Sequence, residues 1–384
     1  MEMFQREELE ILCRADVREA VEQNIEREPT AIALDKSVPC ASVVAGEVKR
    51  LQRARTKLPS YYAVRAVLPS LSYEQSSSEE CALRKRLEGE SVVDLTCGLG
   101  VDAYALSKRF RRVVTVERNE VLADVARENF ARLGVENVEV VCDSAEHFVE
   151  HCEEHFDWCF VDPDRRGERG EKLVRLEHCS PNMLALLPAV KRIAERICIK
   201  SSPLFDVDEA FRLFGGCEVE CVSLGGEMKE VNIYIGEGEE QTLSAVAIGQ
   251  GEYSAKVAER HNEWSAPTED LQHYRYLILP DASLQHARLV ATALRPHADV
   301  WSNGGVALAE QMPTEVLGRV FEIEAIYPFD KRLKSVVQGR KMEIYRRDFP
   351  LSNSEICKRF RCSEGGKERW CFTRIGGNFV AIKF

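Results

Sequence analysis

The sequence predicts an α/β protein. Its centre is a mostly parallel sheet with helices on both faces and an antiparallel hairpin at one edge. A helical region precedes this sheet and an α+β domain follows it. Three observations predict the arrangement. Short β-branched runs alternate with amphipathic helical stretches from Ser91 to Gly236. A glycine-rich loop, Thr96-Cys97-Gly98-Leu99-Gly100, follows the first run. An acidic residue stands at the end of each of the first four runs: Asp94, Glu117, Asp143 and Asp162.

The chain has 384 residues, too many for one ordinary core. The expected divisions are a helical region over 1–85, the α/β domain over 86–237 and an α+β domain over 240–384. In the first, Glu7–Glu22 places Leu9, Leu12, Val17 and Ala20 at helical spacing, and Ala41–Leu51 repeats the pattern more weakly. Lys57-Leu58-Pro59-Ser60 interrupts it. The polar stretch Ser70–Glu80, SLSYEQSSSEE, reads as an ordered loop or a linker.

From Ser91 the strands are SVVDL, RVVTVE, VEVVCD, WCFVD and RICIKS, and then CEVECVSL and EVNIYIG as a closing hairpin. Helices fall at Asp102–Arg109, Glu120–Leu133, Pro188–Glu195 and Asp206–Phe214. The second of these lines up Val121, Leu122, Val125, Phe130 and Leu133 on one side. The Gly/Glu run after Gly236 marks a boundary. Beyond it, strands are expected at Leu243–Ile248, Tyr276–Leu279, Phe321–Ala325 and Met342–Arg346. Helices are expected near Leu284–Leu294 and Ser352–Phe360. A final hairpin, Trp370–Ile375 and Phe379–Phe384, turns on Gly376-Gly377-Asn378, residues that tolerate positive φ.

Composition narrows the class. No apolar run reaches the ~20 residues of a membrane helix. The N-terminus, MEMFQREELEIL, lacks the basic start and apolar block of a signal peptide, so a cytoplasmic protein is expected. The fourteen cysteines contain no C-x2-C pair, and the nearest neighbours, Cys217/Cys221 and Cys357/Cys362, have no His at ligand spacing, so no metal site is expected. Most sit singly in apolar segments, as Cys142, Cys159 and Cys198 do, where a thiol behaves as a small hydrophobe. Net charge is −11, yet residues 331–384 hold 14 Lys+Arg against 5 Asp+Glu, a local +9. A basic segment on an acidic body suits a nucleic-acid partner, and a solvated basic face is the alternative on charge alone.

In an open parallel sheet, ligands sit beyond the carboxyl ends of the strands. Gly98 and Gly100 let backbone approach a ligand there without a Cβ in the way. Glu117 is suited to both hydroxyls of a ribose, Asp143 to an adenine amino group, and Asp94, directly or through the loop, to an ammonium group. Gly98-Leu99-Gly100-Val101-Asp102-Ala103 also fits a dinucleotide fingerprint, with Glu117 nineteen residues past Gly98. A carboxylate just ahead of the loop does not suit a pyrophosphate, and Asp143 and Asp162 are extra to that scheme. Together the four acids favour S-adenosylmethionine (SAM). Thr96, Cys97, Asp102, Arg118 and Ser144, in or beside the loop and the strand ends, complete the candidate cofactor set.

VVDLTCGLGVDAYALSKRFRRVVTVERN resembles the first two motifs of the class I SAM-dependent methyltransferases, above all those acting on nucleic acids. The resemblance covers about residues 91–236 and implies a Rossmann-like fold and SAM as cofactor. Glu74-Gln75-Ser76-Ser77-Ser78 is similar to the segment that folds over the methionine end of SAM in such enzymes, which adds Gln75 and Ser77 to the candidate set. The C-terminal part resembles the THUMP-like domain of a group of bacterial methyltransferases, and the whole chain looks like a member of that group. That resemblance implies an RNA substrate, a base of rRNA or tRNA.

Asp162-Pro163-Asp164-Arg165-Arg166-Gly167 stands where amino-directed enzymes of this kind carry Asn/Asp-Pro-Pro-aromatic. Asp162 is the expected catalytic residue, accepting a hydrogen bond from the methyl acceptor, and Pro163 shapes its turn. The segment is also similar to the D-P-P-R-x-G of 5-methyluridine enzymes. Those need a cysteine after the fifth strand; here Ser201 and Ser202 stand there, and a covalent pyrimidine mechanism is disfavoured. Lys200 is read as a surface residue at a strand end, or one that contacts phosphate or orients Asp162. Arg165–Arg175 and the tail pairs Arg340-Lys341, Arg346-Arg347 and Lys358-Arg359 are candidate phosphate contacts, interleaved in the tail with Tyr345, Phe349, Phe360 and Trp370. Of these aromatics, Phe360 is expected in the core. Alternative readings are a protein or small-molecule methyltransferase, and a non-catalytic RNA-binding protein that retains the fold.

Overall fold

Two compact units make up the chain: Met1–Phe205 with Asn232–Gly238, and Asp206–Val231 with Glu239–Phe384. The computed structural model describes residues 4–164, 176–236, 238–261, 264–266, 270–301 and 305–384. The basic stretch 165–175, singled out above as a phosphate guide, lies outside the described residues.

In the first unit, β1 (Gly89–Asp94), β2 (Phe110–Glu117), β3 (Val138–Cys142), β4 (Phe156–Val161) and β5 (Ala194–Ser201) pair in parallel, in the order β3-β2-β1-β4-β5. The order reverses direction at β1 and β4, so the ends of those two strands flank the switch point where such sheets bind ligands. Helix Glu120–Leu133 starts at Asn119, whose side chain accepts from Leu122 N–H, and stops at Gly134 with φ 66°. The helix expected at Pro188–Glu195 runs from Met183 to Ile193 with Pro188 inside it, because Asn182 caps its start by accepting from the Leu184 and Ala185 amides.

The N-terminal helices belong to this same unit. Leu12, Val17, Leu51 and Tyr61 share one core with Val92, Phe130 and Phe160 of the α/β part. Each such fully buried side chain contributes about 2 kcal/mol. Asn129 fastens the two parts: its side chain accepts from Val67 N–H (2.8 Å) and donates to Val67 C=O (2.9 Å). The stretch read as a loop or linker, Ser70–Glu80, is instead largely helical. Ser70–Gln75 and Glu79–Arg84 form two short helices, the second capped by the Ser78 hydroxyl, which accepts from Cys81 N–H. The buried Tyr73, Cys81 and Ala82 anchor them, and helices this short take their stability from such packing.

In the second unit, β6 (Glu218–Leu224) follows helix Val207–Phe214, and β7 (Glu227–Ile235) runs on into the first unit. β6 pairs in parallel with β8 (Thr242–Ile248), and β8 pairs antiparallel with β9 (Gly251–Lys256). The antiparallel edge is therefore carried by β8 and β9, outside the two strands that the sequence assigned to it. Next come β10 (Tyr276–Pro280), β11 (Asp299–Trp301), β12 (Val306–Ala309) and β13 (Gly318–Glu322), an antiparallel sheet in the order β11-β12-β10-β13. The last sheet orders β14 (Ala325–Pro328), β15 (Lys341–Arg346), β16 (Ser363–Glu364), β17 (Glu368–Ile375) and β18 (Asn378–Lys383) as β14-β18-β17-β15-β16. The single strand expected over Phe321–Ala325 is two, divided between β13 and β14. The helix expected near Leu284–Leu294 is also two, Ala282–His286 and Val290–Leu294, since Arg288 between them has φ 56°. Helix Asn353–Phe360 opens on a capping box, Ser352 with Glu355.

All fourteen cysteines are free thiols, and Cys142, expected among the buried ones, is exposed. Among the described residues no group of three or more His, Cys, Asp or Glu gathers as metal ligands, and no helix is long and apolar enough to cross a membrane.

Candidate active site

Everything in the site belongs to the first unit. After β1 the chain turns through Thr96–Gly100 and enters helix Val101–Leu106. Gly98 has φ 54° and Gly100 has φ 81°, values that favour glycine. A Cβ at Gly100 would also lie 2.7 Å from the Phe130 ring, whereas one at Gly98 would meet nothing within 4 Å. Gly100 is thus required by packing, and Gly98 faces open space. Glu117, at the end of β2, accepts from Gly98 N–H (2.9 Å) and Asn119 N–H (2.9 Å), so the second strand end holds the loop that follows the first. Burial raises its pKa.

Asp94 is fully buried. One oxygen accepts from Thr96 N–H (2.9 Å) and Thr96 Oγ1 (3.2 Å), the other from Thr115 Oγ1 (2.9 Å). Of the two roles considered for it, direct contact with a ligand has no exposed surface to work with; its reach is through the loop. Burial pushes its pKa up to about 7 against the pull of those hydrogen bonds. The native state therefore holds a proton that the unfolded chain, with the ordinary aspartate pKa of 3.8, has lost, and stability falls as pH rises from about 4 to about 7. Asp94→Asn does not titrate. Unfolding of the two proteins at about pH 5 and about pH 8 should shift in favour of the variant at the higher pH; a pH-independent difference would mean Asp94 does not titrate there.

At the end of β4, Asp162 N–H donates to Thr96 Oγ1 (2.7 Å), linking this turn to the glycine-rich loop. Pro163 is buried, and Asp164 bridges Ser180 in both directions (N–H to C=O 2.7 Å, and 3.0 Å in return). Asp162 Oδ2 accepts from Lys200 Nζ at 2.5 Å. Lys200 is only 5% exposed, so it is not the surface lysine that a strand end suggests. It also donates to Ser77 Oγ (2.8 Å) and lies 3.9 Å from Asp102 Oδ2. Asp102 in turn accepts from Lys85 Nζ (2.7 Å) and Ser77 Oγ (2.8 Å). Although burial works the other way, Lys85 and Lys200 hold its carboxyl down at about 2.

Asp143 accepts from Ser144 N–H (2.7 Å) and pairs with His147 Nδ1 (2.7 Å), while Ser144 caps helix Ala145–His151. Cys97 is buried with its N–H on Val116 C=O. Arg118 is exposed and donates to Ser180 Oγ (3.1 Å), and Gln75 is exposed at the end of its helix. The fold thus gathers the loop and the strand-end acids as the sequence anticipated. Asp102 and Ser77 differ from expectation. Their oxygens are engaged with Lys85, Lys200 and each other, so they buttress the site rather than face a ligand. Lys85 was not anticipated at all.

In the second unit, a groove of about 550 Å³ is lined by Arg346, Asp348, Phe349, Pro350, Arg374 and Phe379. Arg374 pairs with Asp348 (2.9 Å), and Phe379 is 37% exposed. Phe360 is core, as expected, and Trp370 is core too. Trp370 is fully buried and stacks with Tyr327 at 5.7 Å, as its strand β17 lies inside the sheet.

A family profile described as a methyltransferase domain matches residues 92–163, from β1 to the Asp162-Pro163 turn. An uncharacterized SAM-dependent methyltransferase of Mycobacterium tuberculosis H37Rv is 29% identical over 150 residues, 39% of this chain and 40% of that protein. A crystal structure of a provisionally assigned methyltransferase from Porphyromonas gingivalis W83 is 26% identical. It spans all of this chain and 98% of that one with a TM-score of 0.82. The chain carries a methyltransferase domain of the SAM-dependent kind. The chain also matches, over residues 318–382, a profile described as THUMP domain-like. A methyltransferase of Acinetobacter baylyi that acts on uracil C5 of 23S rRNA is 31% identical over 139 residues, 31% of this chain and 30% of that one. The chain thus spans 40% or less of the length of these curated relatives. The cofactor on which the Mycobacterium tuberculosis relative depends is SAM.

Proposed function

We propose that the protein transfers the SAM methyl group to a nitrogen or oxygen of RNA, with Asp162 holding the acceptor. The observation that carries this reading is the Asp162–Thr96 hydrogen bond of 2.7 Å: it fixes the acceptor-holding residue to the loop on which a cofactor would lie.

The donor set suits SAM. Open space over Gly98 admits the ligand against backbone, Glu117 presents a carboxylate for ribose hydroxyls, and Asp143 one for the adenine amino group. Thr96, Cys97 and Gly100 shape the loop, with Asp94 tensioning it from below. Gln75, Arg118 and Ser144 stand at the rim of the same set. When bound, SAM supplies a methyl group on a sulfonium, already activated as an electrophile. What remains for the protein is alignment. The second oxygen of Asp162 accepts an N–H or O–H bond from the acceptor and turns its lone pair toward the methyl group. Covalent pyrimidine chemistry is disfavoured: Ser201 ends β5 and Ser202 follows it, Cys198 is fully buried within it, and burial raises the thiol pKa of Cys97 well above its usual value.

The RNA reading rests on the second unit. The THUMP-like match, the +9 charge of residues 331–384, and a groove with two arginines and two phenylalanines together suit phosphate contact and base stacking. Nucleoside mass spectrometry of RNA from a strain lacking the protein tests it. One methylated nucleoside should disappear and return when purified protein and SAM are added; if none disappears, the RNA reading fails.

A further inference from the structure

We propose that Lys200 is the positioning residue of the methyl-transfer site, holding Asp162 and tying it through Ser77 and Asp102 to the helix that follows the glycine-rich loop. This rests on the role given above to Asp162.

The argument starts from what a buried ammonium needs. Lys200 lies in β5 with almost no exposed surface, and a charge in such a place is retained only if it is paired and hydrogen-bonded. Its partners come from three separate places: Asp162 from the end of β4, Ser77 from the turn ahead of helix Glu79–Arg84, and Asp102 from the first turn of helix Val101–Leu106. Lys85 closes the cluster on Asp102. Two lysines and two aspartates balance in charge, so no net charge is left buried. The geometry makes Lys200 the joint. One of its hydrogens occupies Oδ2 of Asp162, which leaves Oδ1 as the acceptor for the substrate. Another engages Ser77, the residue by which the segment before β1 enters the site.

The pairing has a chemical consequence. The ammonium fixes one oxygen of the carboxylate and so fixes which way the other faces. A methionine at position 200 fills the same space but supplies no charge. Asp162 is then no longer held and turns freely.

The test compares Lys200→Met, Lys200→Arg and Asp162→Asn with the parent protein. Labelled methyl transfer from SAM to total RNA of the deletion strain gives turnover, calorimetry gives SAM affinity, and thermal unfolding gives stability. For Lys200→Met the expected results are a kcat lower by about 30-fold and a SAM Kd within about threefold of the parent. Lys200→Arg should recover part of kcat with SAM affinity unchanged. Turnover of Lys200→Met within about threefold of the parent would overturn the proposal. So would a loss of kcat matched by an equal loss of SAM affinity that Lys200→Arg does not recover, the mark of a merely structural lysine. If the parent protein methylates none of this RNA, the RNA reading fails separately. The double-mutant cycle of Lys200→Met with Asp162→Asn in unfolding then decides: additive effects overturn the pairing, and coupled ones support it.

Discussion

Asp162→Ala should bind SAM within about threefold of the parent affinity and transfer methyl groups roughly 100-fold more slowly or worse. The separation follows from the hydrogen bonds of the residue. Its backbone N–H, not its side chain, binds Thr96, so the loop keeps that tie when the carboxylate is removed. The carboxylate touches only Lys200 in the described structure, with its other oxygen left for an acceptor. Asp162→Asn is the informative companion. Its amide retains the shape and one oxygen for Lys200, but it presents a donor where the acceptor's own hydrogen must go. Turnover should therefore fall nearly as far as in the alanine variant, with less loss of stability. Unchanged turnover in both variants would remove Asp162 from the mechanism.

The largest stability effect is expected at Lys85. Its ammonium is about as buried as Lys200 and donates to Asp102 at 2.7 Å, with the Phe160 ring 5.5 Å away. Lys85→Met leaves Asp102 charged, buried and short of its nearer counter-charge, which costs about 3–5 kcal/mol and lowers the unfolding midpoint by roughly 10 °C. The pH dependence has a definite sign. The pKa of Asp102 is depressed to about 2 from 3.8, so its contribution is present above about pH 4 and is lost as pH falls toward 2. The gap between parent and variant should be full at neutral pH and narrow below about pH 4. Unfolding measured across that range checks it; a gap that widened in acid would contradict the pairing.

How much of this was written in the sequence depended on range. The strands of the parallel sheet were legible because β-branched runs mark them, and the loop was legible because glycines follow the first strand and an acid stands at each of the first four strand ends. Lys200 and Lys85 were not. A lysine after ICI, or inside LRKRLEGE, looks like any solvated charge. What buries them is pairing with Asp162, Ser77 and Asp102 across 17 to 123 positions of chain, which no periodicity records. Ser70–Glu80 misled for a related reason. Its polar composition resembles a loop, while a single serine cap and the burial of Tyr73 make it helical. In the C-terminal sheets the two-way division of 321–325 turns on partners far along the chain, β10 for Phe321 and β18 for Ala325.

The paired hydrogen bonds between Asn129 and Val67 bear on how this enzyme can be taken apart. A chimera that kept the catalytic sheet but exchanged everything ahead of β1 would strip both partners from a side chain with no access to water. The same cut would remove Ser77 and Lys85 from beneath Asp102. The transplantable piece therefore begins well before the first strand, and recombination, natural or engineered, has to carry the leading helices along as part of the catalytic machinery.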